Sequence, residues 1–203
     1  MVENLHTRID IQSLKNYFWD LQDRIVAAMG ALDGKAFVAD EWHKPEDSKL
    51  KGYGRTCIMD QGDILEKGGV GFSHVRGDQM PPSASHHRPE VAGRSFEAMG
   101  VSLVFHPKNP HAPTVHMNVR SIQVKDRQGQ VVSWYGGGLD LTPIYGYEED
   151  AIHFHKICRD AVQPFGTDLY PRFKTWCDEY SDRWRRRAGT RPGLENRPKP
   201  LVR

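Results

Sequence analysis

The sequence predicts an α+β protein, a large antiparallel β-sheet flanked by α-helices. Three observations carry that prediction. The run Val101-Ser-Leu-Val-Phe-His-Pro-Lys-Asn-Pro-His-Ala-Pro-Thr-Val-His-Met-Asn-Val-Arg120 reads as two strands folded back about a proline-rich loop. Further short strand-like runs lie on either side of it, separated by Gly and Pro, in the pattern of a meander. Apolar residues at helical spacing occur before the first strand and after the last, so helices must cover what the sheet does not bury itself.

At the N-terminal end, Ser13 is positioned to cap a packing helix. Leu14, Phe18, Leu21, Ile25, Ala28 and Met29 define its apolar stripe, and Asp33-Gly34 ends it. Strands are expected near Phe37 to Trp42, Gly54 to Met59 and Gly69 to Val75. The segment Met80-Pro-Pro-Ser-Ala-Ser-His-His-Arg-Pro reads as a loop, and its adjacent His86 and His87 suit an exposed loop better than a metal site. Strands near 98 to 106, 114 to 125 and 130 to 135 complete the meander, with Asp126-Arg-Gln-Gly129 as a turn. Apolar parity changes between Val119 and Ile122, which suggests a bulge close to Arg120. Trp134-Tyr-Gly-Gly-Gly-Leu-Asp-Leu-Thr-Pro-Ile-Tyr-Gly-Tyr147 reads as a triple-glycine turn carrying one carboxylate, Asp140, between aromatic walls. Helices follow at about 148 to 163 and 168 to 180, the first with Ala151, Phe154, Cys158, Ala161 and Val162 as its buried stripe.

Side chains alternate along a strand, so the polar residues can be sorted by face. Val101, Leu103 and Phe105 make a core face on one strand, and Val115, Met117 and Val119 make it on the next. Ser102 and His106, with His116, Asn118 and Arg120, fall on the other side, where antiparallel pairing sets Ser102 near Asn118 and His106 near Thr114 or His116. A hydroxyl, an amide, imidazoles and a guanidinium thus gather on one face, which marks it as a candidate for chemistry. An ordinary wet sheet face is the bland alternative. His153 and His155 stand about 200° apart on a helix, and His155, beside the apolar stripe, is the better candidate for a site.

Composition sets the class. The 203 residues suit one domain, and 38% hydrophobic content suffices for a core, although the mean hydropathy of −0.64 is polar. Cys57, Cys158 and Cys177 share no metal or redox spacing and point to a reducing compartment. The N-terminus has no apolar signal core, and no stretch approaches the roughly twenty apolar residues of a membrane span. The expectation is a cytoplasmic protein without a membrane anchor. From Ser181 onward eight Lys or Arg face two acids, so the remainder carries about −4 against a total of +2. The basic character therefore comes from the tail and not from a nucleic-acid-binding face. Residues 1–180 are read as the domain, and 181–203 as a basic tail too poor in apolar residues to order beyond a first helical turn or two. No His-Glu-x-x-His motif supports a metal hydrolase.

Gly69-Val-Gly-Phe-Ser-His-Val75, His87-Arg-Pro-Glu-Val-Ala-Gly-Arg-Ser-Phe-Glu-Ala-Met-Gly-Val-Ser102, His116-Met-Asn-Val-Arg120, Gly136-Gly-Gly-Leu-Asp-Leu-Thr-Pro143 and Tyr170-Pro-Arg-Phe-Lys-Thr-Trp-Cys-Asp-Glu-Tyr180 together resemble the oxygen-dependent coproporphyrinogen III oxidases. The resemblance runs from about Leu14 to Tyr180. It implies oxidative decarboxylation of two propionates of coproporphyrinogen III to vinyl groups, giving protoporphyrinogen IX in haem biosynthesis. Molecular oxygen would be the co-substrate, with no organic cofactor. It implies substrate binding at Ser102, Asn118, Val119 and Arg120, and catalysis by His116 and Asp140. Two roles for imidazole stay open: His106, His116 and His155 hold a divalent metal ion, or they hydrogen-bond substrate carboxylates directly. The family continues past this point with a His-Arg-Asn-Glu segment and further strands, and a family histidine there is replaced by Arg185 or a neighbour. A truncated or frameshifted chain is therefore expected, with the family's homodimer in doubt and an inactive, tetrapyrrole-binding remnant as the alternative to an active oxidase.

Overall fold

A computed structural model describes residues 10–80, 91–125 and 128–187, with side chains described as far as residue 180. Helix α1 (Ile11–Asp33) is followed by strands β1 (Val38–His43), β2 (Leu50–Asp60), β3 (Leu65–Gly77), β4 (Phe96–Pro107), β5 (Thr114–Lys125) and β6 (Val131–Thr142). Helix α2 (Glu148–Val162), a 3-10 turn (Gln163–Phe165) and helix α3 (Leu169–Arg187) complete the order. The six strands form one sheet in chain order, the expected meander. The fold class is α+β, as the sequence predicts. No described helix is long and apolar enough to cross a membrane.

Two compact units divide the chain. The first comprises Met1–Lys108 and His116–Gly138, the second Asn109–Val115 and Leu139–Arg203.

In the first unit, α1 lays its apolar stripe on one face of the sheet. Leu14 and Phe18 are buried there with Met59, Val70, Phe72, Met99, Val101, Leu103 and Phe105, while Leu21, Ile25 and Met29 pack at the edge. Fully burying a side chain of Phe or Val size contributes about 1.5–3 kcal/mol, which makes this face the main source of stability. Met117 and Val119 join the same cluster, so the predicted core faces of β4 and β5 are observed. The helix starts one turn earlier than the sequence suggested. Asp10 is the N-cap and accepts the Ser13 N–H at 2.9 Å and its hydroxyl at 3.2 Å, so Ser13 supports the cap without being it. Gly34, at φ +82°, ends the helix in the left-handed region, as expected.

Two buried polar residues on α1 were not foreseen. Gln22, fully buried, donates to the carbonyls of Arg55 and Val70, both at 2.8 Å, and accepts from Arg55 Nε at 2.9 Å. Arg55 also pairs with Asp23 and stacks over Trp19, 4.1 Å from the ring centroid. Asp33 receives three backbone N–H groups, from Asp63, Ile64 and Leu65, and thereby fixes the turn into β3. Those hydrogen bonds, led by that of Leu65, outweigh burial and lower its pKa.

Two local expectations are corrected, and one gains a physical context. The triple glycine is not a turn, because β6 runs unbroken from Val131 to Thr142 through Gly136, Gly137 and Gly138. Gly137 serves close approach: a Cβ there would come within 2.5 Å of the Asn118 carbonyl on β5. The parity change after Val119 coincides with a second core. Ile122 and Val124 stay in alternation with Asn118 and Arg120, and they are apolar because they enter a second small core with Met80, Val91, Phe96 and Trp134. Among the registers described, the one shift falls between Leu65 and Lys67. Finally, Ala161 is exposed; the buried side of α2 is carried by Ala151, Phe154, Cys158 and Val162. Helix α3 continues past residue 180 to Arg187, within the one or two turns allowed to the tail. His86 and His87, and the tail beyond 187, lie outside the described residues.

Candidate active site

The face of the sheet turned away from α1 is built from small residues in its middle. Register pairs Gly69 with Val104, Gly71 with Ser102 and Ser73 with Gly100, which sets glycine, serine and valine side by side across β3 and β4. A Cβ on Gly69 would meet nothing within 4 Å, and one on Gly71 only the Ser102 carbonyl at 3.9 Å. This is an open floor, free of bulky side chains. Gly100 is different: a Cβ there would stand 2.3 Å from the Val119 carbonyl and 2.9 Å from Arg120 Cα. β4 and β5 therefore run in close contact at the position of Arg120, and the absence of a side chain at residue 100 permits it.

Polar groups rise from this floor. Ser102 and Arg120 are exposed, Asn118 is half-buried, and Arg120 Nη1 donates to Asn118 Oδ1 at 3.4 Å. That contact holds the guanidinium along the strand. Gly136 on β6 lies beside the guanidinium, where an added Cβ would sit in ordinary contact, 3.6 Å from Arg120 Nε. Strand alternation puts His116 with Asn118 and Arg120, and His106 with Ser102. Ser102, Asn118 and Arg120 are thus brought to one face as the sequence predicts. Val119 points into the core, so any contact it makes with a ligand must come from its backbone.

The second unit holds the remaining candidates. Asp140 is half-buried near the end of β6, and His155 is half-buried on α2 while His153 is exposed. Tyr170 of α3 hydrogen-bonds His155 Nδ1 at 2.9 Å, and burial, followed by the Lys174 charge, lowers the pKa of His155 despite an opposing effect of Asp178. The imidazole therefore favours its neutral form. Sequence reasoning passed over His111, which stacks on Tyr145 with centroids 4.9 Å apart and hydrogen-bonds the Tyr147 hydroxyl. The aromatic pair around the glycine motif was visible; the loop histidine that meets it was not.

Among the described residues, no three His, Cys, Asp or Glu side chains are gathered closely enough to hold a metal ion. The described residues do not form a pre-built metal centre, and no chemical step is routed through one below.

A sequence model of the family described as coproporphyrinogen III oxidase matches residues 13–191, nearly the whole chain. The chain belongs to that family. As a coproporphyrinogen III oxidase family member it is placed among oxidoreductases of porphyrin biosynthesis, acting on a small-molecule porphyrinogen. The match reaches past residue 180 and takes in the whole of α3. Family membership also makes sense of the open floor, since a porphyrinogen is a broad macrocycle fringed with carboxylates.

Proposed function

We propose that this chain converts coproporphyrinogen III to protoporphyrinogen IX by oxygen-dependent oxidative decarboxylation. The observation that carries the reading is Arg120 standing over a glycine floor with Ser102 and Asn118 on the same face. Each reacting propionate becomes a vinyl group by losing CO2, one proton and two electrons. Two such steps release four electrons, which one O2 accepts with four protons to give two waters.

In this reading Arg120 holds a propionate through paired N–H donors, and Ser102 and Asn118 add neutral hydrogen bonds. Gly69, Gly71 and Gly136 leave the macrocycle room to lie close to the backbone. Asp140 accepts pyrrole N–H bonds and stabilises positive charge developing on the ring as CO2 departs. His116 moves a proton, since an imidazole ring can both donate and accept one. His106 and His155 hydrogen-bond substrate carboxylates.

The test is anaerobic incubation of the purified chain with coproporphyrinogen III, followed by admission of oxygen and chromatography of the porphyrins, before and after exhaustive chelation. Product that requires oxygen and survives chelation supports direct hydrogen bonding by the histidines. Product lost on chelation and restored by a divalent ion assigns them to metal. Product formed without oxygen overturns the proposed oxidant.

A further inference from the structure

Helix α3, in the second unit, has two unlike sides. Tyr170 hydrogen-bonds His155 Nδ1 at 2.9 Å, which turns one side toward α2. The other carries Phe173, Trp176 and Tyr180, spaced by three and four residues and so gathered within roughly 60° of the helix circumference. They are 47%, 54% and 50% exposed. Trp176 and Tyr180 stack with centroids 5.8 Å apart, so the rings form a strip and are not scattered over the helix. The sequence sets Trp184 at the next position of the same spacing.

Charge on this helix is equally uneven. Over Leu169–Arg187 six Lys or Arg stand against three acids, a surplus of three. As far as Tyr180 the charges balance, with Arg172 and Lys174 against Asp178 and Glu179, and Lys174 is paired with Asp178 at 2.6 Å. The whole surplus falls in the last turns, where Arg183, Arg185, Arg186 and Arg187 are set against Asp182 alone. Arg172 also borders the strip, its guanidinium 5.4 Å from the Phe173 ring centroid.

An exposed strip of Phe, Trp and Tyr beside arginine-rich turns matches the boundary between lipid headgroups and acyl chains. The ring bodies are apolar, the Trp and Tyr tips are polar, and the positive charge is drawn to anionic headgroups. A polyanion in free solution would use the charge and leave the rings uncovered. A wholly apolar partner would do the reverse. α3 is not apolar enough to cross a bilayer, so its place is in the plane of the surface.

We infer that α3 is a membrane-surface helix. Phe173, Trp176 and Tyr180 enter the headgroup region of an anionic bilayer, and the arginine-rich end holds the helix there by charge. The inference does not depend on the oxidase reading.

The test is co-sedimentation of the full chain with large unilamellar vesicles, made either of neutral phosphatidylcholine or of an equal mixture of phosphatidylcholine and phosphatidylglycerol. The anionic vesicles are expected to bind at least about tenfold more tightly, an advantage that shrinks as salt is raised. Combined Phe173→Ser, Trp176→Ser and Tyr180→Ser, and separately combined Arg183→Gln, Arg185→Gln and Arg186→Gln, should each weaken that binding about tenfold or more, with circular dichroism matched to the parent. Combined Lys49→Gln, Lys51→Gln and Lys125→Gln removes as much charge from exposed positions of the first unit and should change binding less than about twofold. No binding at millimolar lipid, equal binding to both vesicles, undiminished binding by either α3 variant, or an equal loss in the lysine variant would each overturn the inference. So would a dimer seen by sedimentation equilibrium without lipid and lost in the aromatic variant, which would assign the strip to a second copy of the chain.

Discussion

Gly100→Ala couples packing to chemistry at one atom. The added methyl would lie 2.3 Å from the Val119 carbonyl oxygen, and real Cβ contacts do not fall below 3.0 Å. β4 and β5 must therefore separate by about 0.7 Å where Arg120 leaves the sheet. Overpacking of this kind costs about 1–3 kcal/mol, and weakening one cross-strand hydrogen bond adds about 1 kcal/mol. For a chain of this size the sum corresponds to a fall in Tm of roughly 4–16 °C. A shift of that size at a substrate-holding guanidinium should also lower kcat/KM about tenfold or more, since misplacement by an ångström costs about a hundredfold. The control is Gly69→Ala, on the same face but with nothing within 4 Å of the new methyl, which should leave Tm within about 2 °C of the parent. Calorimetry and steady-state turnover on both variants read the difference. Unchanged Tm and kcat/KM in Gly100→Ala would refute the close approach of the strands and the role it gives to residue 100.

Three other outcomes follow from particular contacts. Gln22→Ala removes three hydrogen bonds in a fully buried position and leaves two carbonyls and Arg55 Nε short of partners, so urea unfolding should show a loss of about 2–4 kcal/mol. Arg120→Ala should lower kcat/KM by roughly 10–100-fold with little change in unfolding midpoint, because the guanidinium is exposed and, in the proposed function, binds substrate. Burial raises the pKa of Glu97, but the hydrogen bonds from His74 and Arg76 together with their charges prevail and hold it below the ordinary 4.5. A depressed acid stabilises the fold above its unfolded pKa and loses that contribution as pH falls through the folded value, so wild type should lose stability below about pH 4.5 faster than Glu97→Gln in acid titrations of the unfolding midpoint.

Much of the fold was legible because it rests on period. The alternation in Val101, Leu103 and Phe105 and the helical spacing from Leu14 to Met29 report burial directly, and the described core follows them. The triple glycine misled because glycine marks either positive φ or close approach, and only the partner strand decides which; here the Asn118 carbonyl on β5 demands the second. The change of parity near Arg120 has a related cause. Parity of apolar residues shows which side is dry, and β5 has its dry side changed by the second core around Val124. Gln22 and Asp33 were invisible because a buried polar residue is recognised by its partners, which lie 30 or more positions away in sequence. At the candidate site, Ser102, Asn118 and Arg120 could be read from alternation, whereas His111 depends on where a loop meets Tyr145 and Tyr147.

The central claim is that the Arg120 face of this chain performs oxygen-dependent decarboxylation of a porphyrinogen. The most direct measurement is turnover of coproporphyrinogen III by the purified, monodisperse chain under oxygen, alongside Arg120→Ala of matched folding. The account predicts protoporphyrinogen IX from the parent chain and a strongly reduced yield from the variant. A folded parent that binds the substrate without forming product, or a variant that turns over as fast as the parent, would contradict it.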